Sequence, residues 1–330
     1  MTHIFSQVPL PLAYRIGALL YTPANRVSVA DSICHQRFGT KFSLALCLED
    51  TINDAYLPQA EQQAIQTIQT IYQKRQQEEF YLPRLFIRLR SPEQIAALLQ
   101  LMGQAAELLT GFIFPKFSLE NVSAYLAALE NANHTSRSTP FFMMPVLEDA
   151  SLLSLRSRVE TLEQLKDLLQ PYYQQVLNIR VGCNDLCHLF GLRRHPYQTI
   201  YDILPVANIL SDILTVFQPN YVVSAPVWEY FQDETELWKT GLKRELELDL
   251  LNGFIGKTVI HPSQITVVNE GLKVSPTDYA DACQILNWNP DNPYYVSGGA
   301  QTQRMNEYKT HHRWAQRILL LAEYYGIRQE

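Results

Sequence analysis

GFIFPKFSLENVSAYLAALENANHTSRSTPFFMMPVLED, residues 111–149, is the stretch on which the fold turns. A short apolar run, GFIFPKF (111–117), gives way to ENVSAYLAALENA (120–132), where apolar residues recur at helical spacing. A second apolar run, FFMMPVLED (141–149), follows. Two continuous apolar strands joined by a helix describe a parallel pair covered on both faces. The alternation recurs along the chain. The other expected strands are GALLYTPA (17–24), SLALCLED (43–50), PRLFIRLR (83–90), VLNIRVGCND (176–185), NYVVSAPV (220–227) and GKTVIHP (256–262). QAEQQAIQTIQTIYQKRQ (59–76) and SPEQIAALLQLMGQAAELL (91–109) are helical between them, the second opened by Ser91-Pro92-Glu93 with proline in its first turn. Eight such units over about 260 residues predict a (β/α)8 TIM barrel. An open doubly wound sheet would more often carry a Gly-rich turn after the first strand, and none is present.

The chain has 330 residues, 47% hydrophobic and 18% charged, the composition of a folded globular protein. A net charge of −6 argues against a broad nucleic-acid surface. No apolar run approaches the roughly 18–20 residues of a membrane span. The opening MTHIFSQVPLPLAYRIGALLY has no basic leader region and is interrupted by Arg15, so it reads as the lead-in to a strand. Five irregularly spaced cysteines suit reduced thiols, and a cytoplasmic protein is expected.

The barrel is expected over 1–270 and a helical extension, or lid, over 271–330. In the extension TDYADACQIL (277–286) is helical, NWNPDNPYYVSGGAQTQ (287–303) is a loop, and an amphipathic helix runs from about Met305. Its stripe Trp314, Ile318, Leu321 and Tyr325 must bury a face. The barrel's own helices already cover its wall, so a neighbouring subunit of a homo-oligomer, a trimer or hexamer, is the expected partner.

Working residues of such a barrel lie at the C-terminal ends of its strands. Those ends carry Arg26, Glu49-Asp50, Arg88 and Arg90, Lys116, Glu148, Asp185 and His261. Polar residues at strand ends also follow simply from the loops beginning there. Glu148 and Asp185 end successive strands, and two converging carboxylates suit a hard cation such as Mg²⁺. The competing reading is a structural pair bonded to Lys116 or Arg180. Arg88 would clamp a carboxylate through its planar fork, with the register aiming Arg90 inward as well. Cys183-x-x-x-Cys187-His188 matches neither a zinc nor a haem spacing, so those cysteines read as packing residues. Arg180, Arg193, Arg194 and His195 form a basic cluster, either solvated or a site for an anionic substrate.

These motifs together resemble the HpcH/HpaI aldolase / citrate lyase β-subunit family, nearly end to end. TPANR (22–26), CLEDT (47–51), IRLR (87–90), Pro115-Lys116, VLEDA (146–150) and GCNDL (182–186) stand where that family carries its strand-end motifs. GFIGKTVIHPSQITVVNEGLKVSPTDYADACQIL (253–286) is similar to its G-F-x-G-K-x-x-I-H-P-x-Q-I signature. The resemblance implies Mg²⁺ on Glu148 and Asp185, and C–C bond cleavage or formation through an enolate. Among the strand-end motifs it matches, Arg88, Glu49 and Asp50 are the expected catalytic residues, and Arg26, Arg88 and Lys116 are expected to bind a small carboxylate substrate; Arg193 and Arg194, outside the family's pattern, are the further candidates for that substrate if their loop is not simply solvated. The resemblance also implies that Met305-Asn306-Glu307 brings an acidic catalytic residue, Glu307, to a neighbouring subunit's site.

The second helix lacks the family's K-x-x-A-R pattern, and only Arg37 and Lys41 are basic between Arg26 and Lys74, which counts against a CoA thioester. The expected function is a Mg²⁺-dependent C–C lyase or aldolase acting through an enolate on a hydroxy-acid or oxo-acid compound, with its CoA thioester kept as a doubtful form of that substrate. Thioester hydrolysis or condensation on the same barrel, and a non-catalytic ligand-binding or assembly role, are the alternatives.

Overall fold

The protein is described from a computed structural model covering residues 11–134, 139–301 and 303–329. The beginning of the expected lead-in falls outside these residues; its remainder forms a helical turn at Pro11–Tyr14. All eight expected strands are present: β1 (Ala18–Pro23), β2 (Ser43–Cys47), β3 (Arg84–Arg88), β4 (Leu109–Phe114), β5 (Phe142–Leu147), β6 (Ile179–Val181), β7 (Val223–Ser224) and β8 (Lys257–Val259). They form one parallel sheet in the order β7-β6-β5-β4-β3-β2-β1-β8. A parallel bridge from Ala225 to Lys257 joins the two edges, with Thr258 N donating to Ala225 O at 3.3 Å, so the sheet closes into a barrel.

Strand periodicity divides the core in two. Leu19, Ala45, Phe86, Ile113, Met144 and Val146 point into the barrel. Their strand neighbours, such as Leu20, Leu46, Ile87, Phe112 and Leu147, face the surrounding helices. The helices fall where their periodicity puts them, for example Leu57–Arg75, Val122–Asn133 and Pro276–Leu286. The last is capped by Ser275, whose Oγ accepts from Asp278 N at 3.0 Å.

Two expectations for the extension change. Met305–Glu307 is a short strand, β10, paired antiparallel with β9 (Val296–Gly298), and the helix begins only at Tyr308. That helix, Tyr308–Tyr325, also buries its stripe on its own chain. Leu321 and Tyr325 are 4% and 8% exposed, and both belong to the main core around the barrel. Tyr325 Oη donates to Tyr14 O at 2.6 Å, and Arg317 Nη2 reaches Leu250 O and Phe254 O at 3.3 and 3.2 Å. These partners precede β1 and β8, so the helix lies against the N-terminal mouth of the barrel. The side helices leave that mouth open, and a helix of this chain covers it.

Leu321→Ala should therefore destabilise the fold by about 2–5 kcal/mol. Denaturant unfolding at two protein concentrations checks this: the loss should be the same at both, whereas a loss confined to high concentration would place the stripe at a subunit interface instead.

Candidate active site

Barrel closure sets the ends of β2 to β6 side by side, and a cluster of charged side chains forms there. Arg88, the last residue of β3, is 5% exposed. Its Nη1 donates to Asp50 Oδ2 at 2.8 Å; its Nη2 lies 2.9 Å from Glu49 Oε2 and donates to Glu148 Oε1 at 3.0 Å. Lys116 follows β4 with a left-handed φ of 46°. This unusual backbone aims its N–H at Glu148 Oε1, at 3.0 Å, while its Nζ reaches back to Asp50 Oδ1, at 3.0 Å, and to Glu49.

Glu148 is 3% exposed just beyond β5. Burial pushes its carboxyl up to about 8, against the pull of Arg88 and with the Asp185 carboxylate adding to the rise. Burial and the bond to Asp50 also raise Glu49. Partial burial would raise Asp50 too, but its bonds with Glu49, Arg88 and Lys116 hold it well below the usual carboxylate range.

Asp185 stands in the first turn of the helix Cys183–Leu189, not at a strand end, because β6 stops at Val181 and the chain turns at Gly182. A Cβ on Gly182 would lie 1.7 Å from Glu148 Oε2, so only glycine lets that carboxylate sit against the turn. The two acids border a cavity of about 160 Å³ lined also by Tyr21, Asp50, Arg88, Arg180, Asn184 and Thr258. Among the described residues no group of three His, Cys, Asp or Glu converges on a metal position. Glu148 and Asp185 are the residues that could hold a cation here. Two carboxylates with room for water and ligand oxygens match what Mg²⁺ accepts. Fully ionised, Glu49, Asp50, Glu148 and Asp185 exceed Arg88 and Lys116 by two negative charges, which a divalent ion would balance.

Arg88, Glu49, Asp50, Lys116, Glu148 and Asp185 are thus brought together as expected, although Lys116 and Glu49 do not line the cavity. Other expected residues are elsewhere. Arg26 is exposed, its Nε on Ser28 Oγ at 3.2 Å. Arg90 turns out of the barrel and holds the β2 loop through Leu48 O and Glu49 O, at 3.1 and 2.9 Å, because the strand ends at Arg88. Arg193 is exposed and paired with Glu229 at 3.1 Å. Arg194 is 2% exposed, 3.5 Å from Glu245 and stacked over Trp228. Neither lines the cavity, so the basic cluster read from the sequence splits up, and only Arg180 faces the site. Burial pushes the Cys183 and Cys187 thiols up, in keeping with packing residues. Glu307 precedes the helix on the N-terminal mouth of its own barrel, with Oε2 accepting from Thr310 Oγ1 at 2.6 Å, and does not line the cavity. Tyr21, Thr258 and Gly182 were not singled out in the sequence. The inward parity of Tyr21 and Thr258 on their strands was the signal available.

No helix among the described residues is long and apolar enough to cross a membrane. No curated protein matches the chain in sequence. Among solved structures, a citrate lyase from Burkholderia xenovorans LB400 superposes with a TM-score of 0.67 at 14% identity, over 100% of this chain and 96% of that one. CitE from Mycobacterium tuberculosis, in complex with magnesium, acetoacetate and coenzyme A, gives 0.61 at 18% identity over 94% and 99%. The citrate lyase β subunit from the same organism, complexed with oxaloacetate and magnesium, gives 0.51 at 19% identity over 78% and 98%. These likenesses speak to the fold. The family is fixed by the sequence itself: with residues 10–327 matching it, the chain belongs to the C–C bond lyases of the TIM-barrel fold.

Proposed function

We propose that this chain is a Mg²⁺-dependent lyase that cleaves or forms a C–C bond in a small hydroxy-acid or oxo-acid. The observation that carries the reading is the Glu148–Asp185 pair, held at the cavity by Gly182, Arg88 and the Lys116 N–H. Magnesium and small oxo-acids or CoA in CitE and the citrate lyase β subunit support it. Bound by the two carboxylates, Mg²⁺ would polarise a substrate carbonyl and stabilise negative charge as it develops.

The residues of this chain do the rest. In the cleavage direction a carboxylate base takes the proton of the substrate hydroxyl. The hydroxyl carbon becomes a carbonyl as the C–C bond breaks, and the electron pair passes to the other fragment as an enolate. The proton is then returned to the enolate carbon. Arg88 presents its cationic edge to the developing charge, and one such contact is typically worth about 3–4 kcal/mol of barrier. Asp50 borders the cavity, but its depressed pKa makes it a weak base. It serves to fix Arg88 and Lys116. The volume of about 160 Å³ suits a small acid fragment, and Arg37, one of the two basic residues between Arg26 and Lys74, is paired with Asp31 at 2.9 Å, which keeps a CoA thioester out of the leading reading.

The base is assigned to Glu307 of a second copy. Tyr294, Tyr295, Val296 and Met305 around the β9–β10 hairpin are 68%, 54%, 46% and 54% exposed, an apolar surface suited to another subunit. Docking that surface on a neighbour would carry Glu307 with it.

Asp185→Asn, a near-isosteric change, should weaken Mg²⁺ binding at least about tenfold while the fold survives, since even outer-shell changes cost that much. Calorimetry showing unchanged Mg²⁺ affinity in this variant would remove the metal from the mechanism. For the shared site, inactive Glu307→Gln subunits mixed with inactive Asp185→Asn subunits should recover part of the activity. No recovery in verified mixed oligomers would exclude the arrangement in trans.

A further inference from the structure

The barrel interior holds a second guanidinium that the mechanism above leaves unused. Arg180 lies on β6 in register with Val146, one layer below Glu148, and is 1% exposed. Its strand neighbours Ile179 and Val181 pack outward, so parity turns Arg180 inward. Its Nη2 donates to Thr258 Oγ1 of β8 at 2.7 Å, its Nη1 reaches the Met144 thioether at 4.0 Å, the Tyr21 hydroxyl lies within its reach, and its Nε has no hydrogen-bond partner. Among the described residues it makes no ion pair with a carboxylate within 4.0 Å.

Other buried arginines are answered differently. Arg88 has Glu49, Asp50 and Glu148; Arg158 has Asp212 at 2.8 Å; Arg194 has Glu245 at 3.5 Å. A guanidinium offers five N–H donors and does not shed its proton in proteins. Burying one with no counter-ion is costly. Burial does push the Arg180 group down from its usual value, with Tyr21 opposing and Arg88 reinforcing the fall.

Arg180, Thr258 and Tyr21 line one part of the same cavity that Glu148 and Asp185 border. With a divalent cation on Glu148 and Asp185 the charged cluster above would be balanced, and Arg180 would then leave a single positive charge facing the space below it. We propose that Arg180, flanked by the Thr258 and Tyr21 hydroxyls, binds a carboxylate of the substrate at the floor of the cavity. This inference rests on the lyase reading for its substrate. It narrows the class: the fragment entering the barrel carries a free carboxylate, so an acyl thioester without one is not accepted.

The test is calorimetry with pyruvate and, as its uncharged control, methyl pyruvate, on the wild type and on Arg180→Met, in Mg²⁺ and in EDTA. Pyruvate affinity should fall at least tenfold in Arg180→Met, methyl pyruvate should bind both proteins alike, and Mg²⁺ affinity should not fall. Equal pyruvate affinity in the two proteins overturns the proposal, as does a wild type that prefers the ester or binds neither. Arg180-dependent pyruvate binding in a wild type that takes no Mg²⁺ would uphold the inference and overturn the metal reading. A structural role is separated by stability. Removing an unanswered buried charge should leave the ligand-free melting temperature at or above that of the wild type, and a marked fall, or failure to fold, would make Arg180 a structural residue and overturn the proposal.

Discussion

The Arg88 guanidinium holds the functional end of this barrel together. It joins carboxylates that follow two other strands, Glu49 and Asp50 after β2 and Glu148 after β5, at 2.8–3.0 Å; Glu49 and Glu148 are buried there, while Asp50 keeps one side open to solvent. The burial of Glu49 and Glu148 and the mutual repulsion of the four acids oppose such a cluster. Arg88, the Lys116 ammonium and the Lys116 backbone N–H offset part of that opposition. What they leave unbalanced is negative, and it lies between Glu148 and Asp185, where burial first and the Asp185 carboxylate second raise the Glu148 carboxyl. The site is thus built as a shortage of positive charge at one point of the cavity.

A separate buried network steadies the other side of the barrel. Lys257 on β8 points outward, 2.9 Å from Glu245 and 2.7 Å from Asp249 on the helix Leu237–Asn252. Tyr201 donates to Asp249 at 2.7 Å, and Arg194 adds its charge beside Glu245. All of these side chains except Tyr201 are almost fully buried, so the network fixes the helix Leu237–Asn252 on the sheet and offers no surface to a ligand. This gives a physical meaning to the GFIGKTVIHP stretch. Its lysine locks the scaffold, while the neighbouring Thr258, of opposite parity, faces the cavity.

Continuous apolar runs and their alternation with helices made the eight strands legible in the sequence. Residues immediately following those runs, such as Glu148 and Arg88, came with them, since strand direction alone puts them at one mouth. Long-range pairing was not legible. Arg194 reads as a loop residue until the fold brings Glu245 to it, and Arg90 reads as inward by parity although the strand has already ended. The stripe on the final helix announced a buried face but not its partner, because periodicity says that a surface is needed and not whose. Arg180 was visible as a charge inside an apolar run, yet its meaning depended on no acid being near, a fact only three dimensions supply.

The central claim is that Glu148 and Asp185 hold a divalent cation inside the barrel. Anomalous diffraction from crystals soaked in Mn²⁺, which shares the oxygen preference of Mg²⁺, tests it most directly. The account predicts an anomalous peak within bonding distance of both carboxylates, with remaining positions filled by water or a small acid. A peak elsewhere, or Glu148 still closed on Arg88 and the Lys116 N–H with no metal between it and Asp185 at saturating Mn²⁺, would contradict it.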